Sequence, residues 1–369
     1  MLLSLTAATS NLIAIELGNS RLEPGIPGSQ SSWATNTVAA WASQNSVAAN
    51  LIESERSATL VSIDREDRSQ CSQAAMVQSI TRDLECHERR RSAAQALTIV
   101  RQISGLQQQA VLLEEATKTL EQLLRFADKA TELDIKDGNR FELDKKRLQV
   151  VDQQAVVSGA ISKLQIALSQ LISKSYDETS RATIDPPAVA LEVSGSLSDQ
   201  LTVAKANRCD LKAIDSLCRQ LSTDTLPIAR QWMSALQPGL GFAIASRKVL
   251  LASWHGSDHA ASELCKRREQ CNQLRSDRQR QIESEVHLAF IDYQTTTKQA
   301  EVAAEQLKLT TQSVQQVLQA IELDKAKPGS DLLAKLEQLE AQGRLIERQT
   351  AVDVAIVKLK EVSGTISVD

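Results

Sequence analysis

Aromatic side chains are nearly missing from this 369-residue chain: four Trp, two Tyr and four Phe make up 3% of it. Large compact cores normally draw much of their buried area from such rings, so the composition argues against one big globule. Proline is also scarce. Of seven prolines, none falls between Pro27 and Pro186, which leaves room for very long helices. No run of about 18 apolar residues occurs, so no membrane-spanning helix is expected. The opening MLLSLTAATSNLIAIELGNS lacks the positive stretch of an export signal, and no cysteine follows it closely enough for a lipid anchor. A net charge of −4 gives no reason to expect nucleic acid or an acidic membrane as partner.

Chemistry is missing as well. There is no phosphate-binding glycine loop, nucleophile elbow or zinc-protease helix, so the expectation is a non-enzyme with no cofactor. The six cysteines, at 71, 86, 209, 218, 265 and 271, form no C-x-x-C pair. They read as unpaired small apolar fillers. His255 and His259 are four apart and would share a helix face, but Gly256 separates them and no third ligand is near in sequence. They are assigned to a polar helix start and no metal is expected. His87 and His287 lie in charged stretches and are expected to face solvent.

Leu, Ala, Gln, Glu, Lys and Ser dominate, as suits long helices packed by small and aliphatic residues. The chain also repeats itself. Gln154, Val157, Ala160, Ile161, Lys163 and Leu164 spell a string that returns at Gln349, Val352, Ala355, Ile356, Lys358 and Leu359. Asn45–Ser54 lines up with Asn207–Ser216 in the same way. The reading is a segment 1–34, a first helical repeat 35–176, a linker 177–197 around Pro186 and Pro187, and a second repeat 198–369. The first helix is expected from Thr35 into the 50s, with Ala58–Ile63 either a short strand or more helix. A long helix follows over about 72–133, then a bend at Gly138. The return helix carries Leu148, Val151, Ala155, Ser158, Ile161, Leu164, Leu168 and Leu171 on its inner face. In the second half, a cap near Ser198 starts a helix that breaks at Pro227 and Pro238. The stretch 241–254 is compatible with two short strands. A helix over about 257–325 then shows Ala303, Leu307, Thr310, Val314, Val317 and Ile321 at 4-3-4-3-4 spacing. It stops at Lys327-Pro328-Gly329.

Four segments in this order resemble the TolC family of outer-membrane efflux proteins. LTVAKANRCDL (201–211) is similar to the family's A-x-x-NRPDL, keeping Asn207, Arg208, Asp210 and Leu211, with Cys209 in place of the proline. LLASWHGSDHAASE (250–263) resembles the strand end at a tryptophan, here Trp254. QIESEVHLAFIDY (281–293) resembles part of the long helix, and PGSDLLAKLEQLEA (328–341) the tip turn. The resemblance implies a mainly all-α, TolC-like α-barrel protomer with at most short residual β-strands. It implies a homotrimer at the outer membrane or in the periplasm of a Gram-negative-type bacterium. There it would be a passive exit duct working with a periplasmic adaptor (membrane-fusion) protein and an inner-membrane pump. The candidate entrance residues are Asp134, Asp137, Gly138, Glu142, Asp324, Gly329 and Asp331; three copies of such acids would favour cations, though acids at helix starts also simply cap them. The alternatives are a barrel-less periplasmic helical scaffold of the same descent and, more distantly, a cytosolic helical interaction module. The basic runs 87–91 and 266–281 are read either as contacts to anionic lipid or as solvated helix faces.

Overall fold

The computed structural model describes residues 34–61, 64, 66–132, 140–175, 193, 195–236, 257–323, 325 and 329–367. Among the described residues there are nine helices and no strand. They are α1 (Thr35–Gln44), α2 (Val47–Val61), α3 (Arg68–Glu132), α4 (Arg140–Ile172), α5 (Leu197–Asn207), α6 (Cys209–Arg219), α7 (Leu226–Leu236), α8 (Ser257–Glu322) and α9 (Ser330–Val362). One succession occurs twice: short helices, two in the first half and three in the second, then one of 65 or 66 residues, then a return helix of 33. At 1.5 Å per residue each long helix spans about 100 Å. The repeated string does not keep its place, however. Gln154 lies 14 residues beyond Arg140 and Gln349 lies 19 beyond Ser330. The duplication is one of elements and their order, not of residue register.

Several expected boundaries shift for local reasons. The first helix does not run unbroken into the 50s. It ends at Gln44, where Asn45 turns back and its Nδ2 donates to the carbonyls of Trp41 and Ile172, both at 3.0 Å. Ala58–Val61 is helix, not strand, because α2 continues to Val61. Only six residues then separate α2 from α3. The second half starts on Ser196, which with Asp199 forms a reciprocal capping box two residues before the expected serine. Pro227 does not break a helix; it is the second residue of α7, where no backbone N–H is needed. Residues 241–254 and the bend at Gly138 lie outside the described residues.

The long helices lie side by side. α3 packs against α4 on one flank and α9 on the other, and α9 packs against α8. At the opposite end the short helices take over this layer, with α2 and α6 flanking α3 and α6 touching α8. Small and aliphatic side chains fill the seams. Ala116, Leu120, Leu123 and Ala127 of α3 meet Leu143 of α4 and Leu336 and Leu339 of α9. Val38, Val100, Ile103, Leu168 and Ile172 join α1, α3 and α4. At one point α3 and α9 come unusually close: a Cβ at Gly105 would fall 2.1 Å from Thr350 Oγ1. On α8 the expected stripe from Ala303 to Ile321 is the one turned inward.

Two expectations about side chains are overturned. Leu148, Val151, Ala155 and Ser158 do not face the chain's interior; they are exposed, and the tip half of α4 packs through Leu143 and Val150 instead. Four of the six cysteines are paired, Cys86 with Cys209 and Cys218 with Cys271, across 123 and 53 residues. Cys71 and Cys265 stand outside any disulfide. Spacing along the sequence says nothing about such pairings, because the helices that bring the sulfurs together are distant in the chain.

Candidate functional site

Two places gather the residues singled out in the sequence: the turn between α5 and α6, and the ends of the helical hairpins. At the turn, Arg208 is extended (φ −63°, ψ 115°) and Cys209 is the first residue of α6. A residue before proline adopts that extended conformation, and the first helical position is where proline fits best. Cysteine therefore stands on a backbone already suited to proline.

Arg208 is 5% exposed, yet every face of its guanidinium is answered. Nε and Nη2 bind the two oxygens of Asp210 at 2.9 and 2.6 Å; Nη1 reaches Glu285 Oε2 at 2.8 Å and the Val362 carbonyl at 3.2 Å. Arg278 closes the cluster, with Nε 2.8 Å from Asp210 Oδ2 and Nη1 3.1 Å from Glu285 Oε1. Burial alone would raise the Asp210 carboxyl, but hydrogen bonds and charge from Arg208, with the charge of Arg278, hold it far below the usual carboxylate range. Burial opposes the Arg208 charge, and Asp210 and Glu285 raise its affinity for the proton above the ordinary value. Leu211 is buried beside Ala204, Ile282 and Leu359. The carbonyl of Asn207 accepts from Arg90 Nη1, which also reaches the Gly364 carbonyl. His87 does not point into solvent as expected. It is half-buried on the wall of a cleft of about 400 Å³ that also includes Arg90, Arg208, Arg278 and Gly364. Burial pushes its ring below the ordinary imidazole value. His287 is exposed.

The basic runs are largely engaged. Arg89 binds Glu85, Glu53 and the Ser43 carbonyl, and Arg275 pairs with Asp215. Apart from Arg89–Glu85, which lies within α3, these contacts join different helices. The cluster has no nucleophile paired with a base; its geometry is that of a clasp.

At the hairpin ends, Gly329 takes the left-handed conformation (φ 83°) and precedes α9, whose first turn holds Asp331. Glu142 is exposed in the first turn of α4, and Arg140 beside it bridges to Asp128 at 2.7 Å. Asp134, Asp137, Gly138, Asp324, Trp254, His255 and the side chain of His259 lie outside the described residues. No group of three metal-ligating side chains occurs among the described ones.

The outer flanks show what sequence reading passed over. Leu288, Val302 and Leu309 of α8, and Leu323 just past its end, are all exposed, between 55% and 65%, and stand at multiples of seven. On the opposite flank Phe141, Leu148, Val151 and Ile166 of α4 are exposed too. α4 is also the one helix among the described residues that is long and apolar enough to cross a membrane by length and composition. Two apolar stripes thus lie exposed on the free edges of a row of four helices, and exposed apolar patches of this kind mark interaction sites.

Neither a protein-family model nor a curated protein matches the sequence. Solved structures do match. The CmeC outer-membrane channel of Campylobacter jejuni covers 90% of this chain and 85% of its own length, with TM-score 0.60 and 9% identity. A membrane protein from Pseudomonas aeruginosa covers 94% and 99% at TM-score 0.65 and 11% identity. The MtrE outer-membrane channel of Neisseria gonorrhoeae, in its open state, covers 91% and 90% at TM-score 0.57 and 11% identity. The fold is that of the TolC-family channels.

Proposed function

We propose that the chain is a TolC-like duct protomer: three copies close a helical tube that serves as a passive exit through the envelope of a Gram-negative-type bacterium. A periplasmic adaptor protein would dock near the tips and an inner-membrane pump would drive transport. The observation that carries this reading is the pair of exposed apolar stripes on α4 and α8. A single copy leaves both in water, whereas a ring sets α8 of one copy against α4 of the next. The likeness of fold over nearly the whole chain supports the same reading. Glu142 and Asp331 would then ring the entrance, and such rings favour cations. No step of chemistry is assigned to any residue, and cargo choice belongs to the pump.

The test is to express the chain in a bacterium, separate the envelope fractions and size the purified protein. The duct requires a trimer recovered with the outer membrane that conducts ions once placed in a bilayer. A trimer found only in the soluble periplasmic fraction would reject the duct and leave the scaffold. A monomer at micromolar concentration would reject both.

A further inference from the structure

α6 is bonded at both ends. Its first residue, Cys209, is joined to Cys86 of α3, and Cys218, next to its last, is joined to Cys271 of α8. This short helix thus links the long helix of one half to that of the other. Below the bonds, on the order of 70 Å of each long helix runs to the tip. No disulfide among the described residues ties that stretch.

The two bonds sit in different surroundings. Cys218, half-buried, and Cys271, 1% exposed, belong to an apolar cluster with Met76, Ile80, Leu217 and Met233. Cys209, 4% exposed, instead lies on the wall of the open cleft lined by His87, Arg90 and Arg278, and its partner Cys86 is half-buried beside His87. Thiol–disulfide exchange needs an attacking thiolate to reach a sulfur. The cleft offers a polar approach to one bond; apolar side chains surround the other.

We propose that Cys86–Cys209 is a reducible latch between α3 and α6, and that Cys218–Cys271 is a permanent tie between α6 and α8. To open the latch, a dithiol reductant attacks one sulfur, forming a mixed disulfide and freeing the other cysteine as a thiol. The reductant's second thiol then displaces the remaining cysteine. Two electrons and two protons pass to the chain, and the reductant leaves as a disulfide. Closure is the reverse, onto a disulfide donor. With the latch open, the hydrogen bonds from Arg90 to Asn207 of the turn and from Ser216 of α6 to Asp83, at 2.9 and 3.2 Å, still reach α3, but without a covalent link. The turn is loosened from α3 while α6 stays attached to α8. Proline at position 209 would stiffen this turn permanently; cysteine makes its attachment depend on redox conditions.

The latch does not depend on the duct reading and is tested on the full-length folded chain. The protein is purified without reductant, exposed to increasing dithiothreitol, alkylated and mapped by mass spectrometry. Cys71 and Cys265, exposed and outside any disulfide, should label before reductant is added and serve as reference thiols. The expected result is that Cys86 and Cys209 become labelled first, with Cys218 and Cys271 slower by at least about tenfold. Simultaneous opening, the reverse order, or thiols at Cys86 and Cys209 in the oxidatively purified protein would overturn the proposal. A Cys86→Ser, Cys209→Ser chain should lose only the fast phase; loss of the slow phase as well, in a chain whose circular dichroism is unchanged, would also overturn it.

Discussion

Arg208 shows how much one side chain can hold together. It joins the α5–α6 turn, the middle of α8 through Glu285 and the end of α9 through the Val362 carbonyl. Removing one partner of a buried ion pair costs about 3–5 kcal/mol, because the other charge is stranded. Arg208→Met should therefore lower the melting temperature sharply, and Asp210→Asn, which leaves Glu285 as the one carboxylate shared by both arginines, should lower it less; thermal denaturation followed by circular dichroism checks both. His87 gives a pH test. Burial lowers its pKa; of the charges facing it, Asp210 and Glu88 raise it while Arg208 and Arg278 lower it. With a folded pKa below the unfolded value of about 6.5, its contribution to stability is complete above that value. It is lost as pH falls through the folded pKa. The melting temperature should drop on acidification below about pH 6.5, and His87→Gln should flatten part of that drop. The motif residues Asn207 to Leu211 were legible in the sequence because five of them are consecutive. Their partners Arg90, Arg278, Glu285 and Gly364 were not, because only the folded helices bring them within reach.

Helix against helix, the decisive contact is between α3 and α9 at Gly105 and Thr350, one turn from the pair of buried Arg101 and half-buried Asp353 at 3.1 Å. Thr350 is short and branched and cannot swing aside. Gly105→Ala should therefore cost about 1–3 kcal/mol by overpacking, and adding Thr350→Ala should recover most of it; chemical denaturation of both single variants and the double one measures the coupling. The helices and the α8 stripe were readable from periodicity, because a 4-3 spacing fixes one inward face. On α4 the same reading failed between Leu148 and Ser158. That helix has apolar residues on two faces, and periodicity cannot say which one meets the same chain. The disulfides escaped for a related reason: sequence shows which cysteines exist, while the packing of α6 between α3 and α8 decides which of them meet.

Across the whole molecule, the stripe on α8 makes the sharpest prediction. Val302→Lys with Leu309→Glu changes two exposed positions that touch no core cluster, so the helical content of one copy should be unchanged. If that stripe seals copy to copy, the double variant should sediment as a monomer under conditions where the unaltered chain is a trimer; a trimer that survives the change would place the seam elsewhere. The six residues between α2 and α3 carry a different consequence. They are too few for even one crossing of a bilayer by a β-strand of 9 to 11 residues. The connection from α7 to α8, residues 237–256, holds twenty, room for two such crossings at most. Three copies would bring six staves from these places, fewer than the eight of the slimmest bacterial porin-type cylinder. A hole in lipid at this end would therefore need a rim completed by further copies or by another protein.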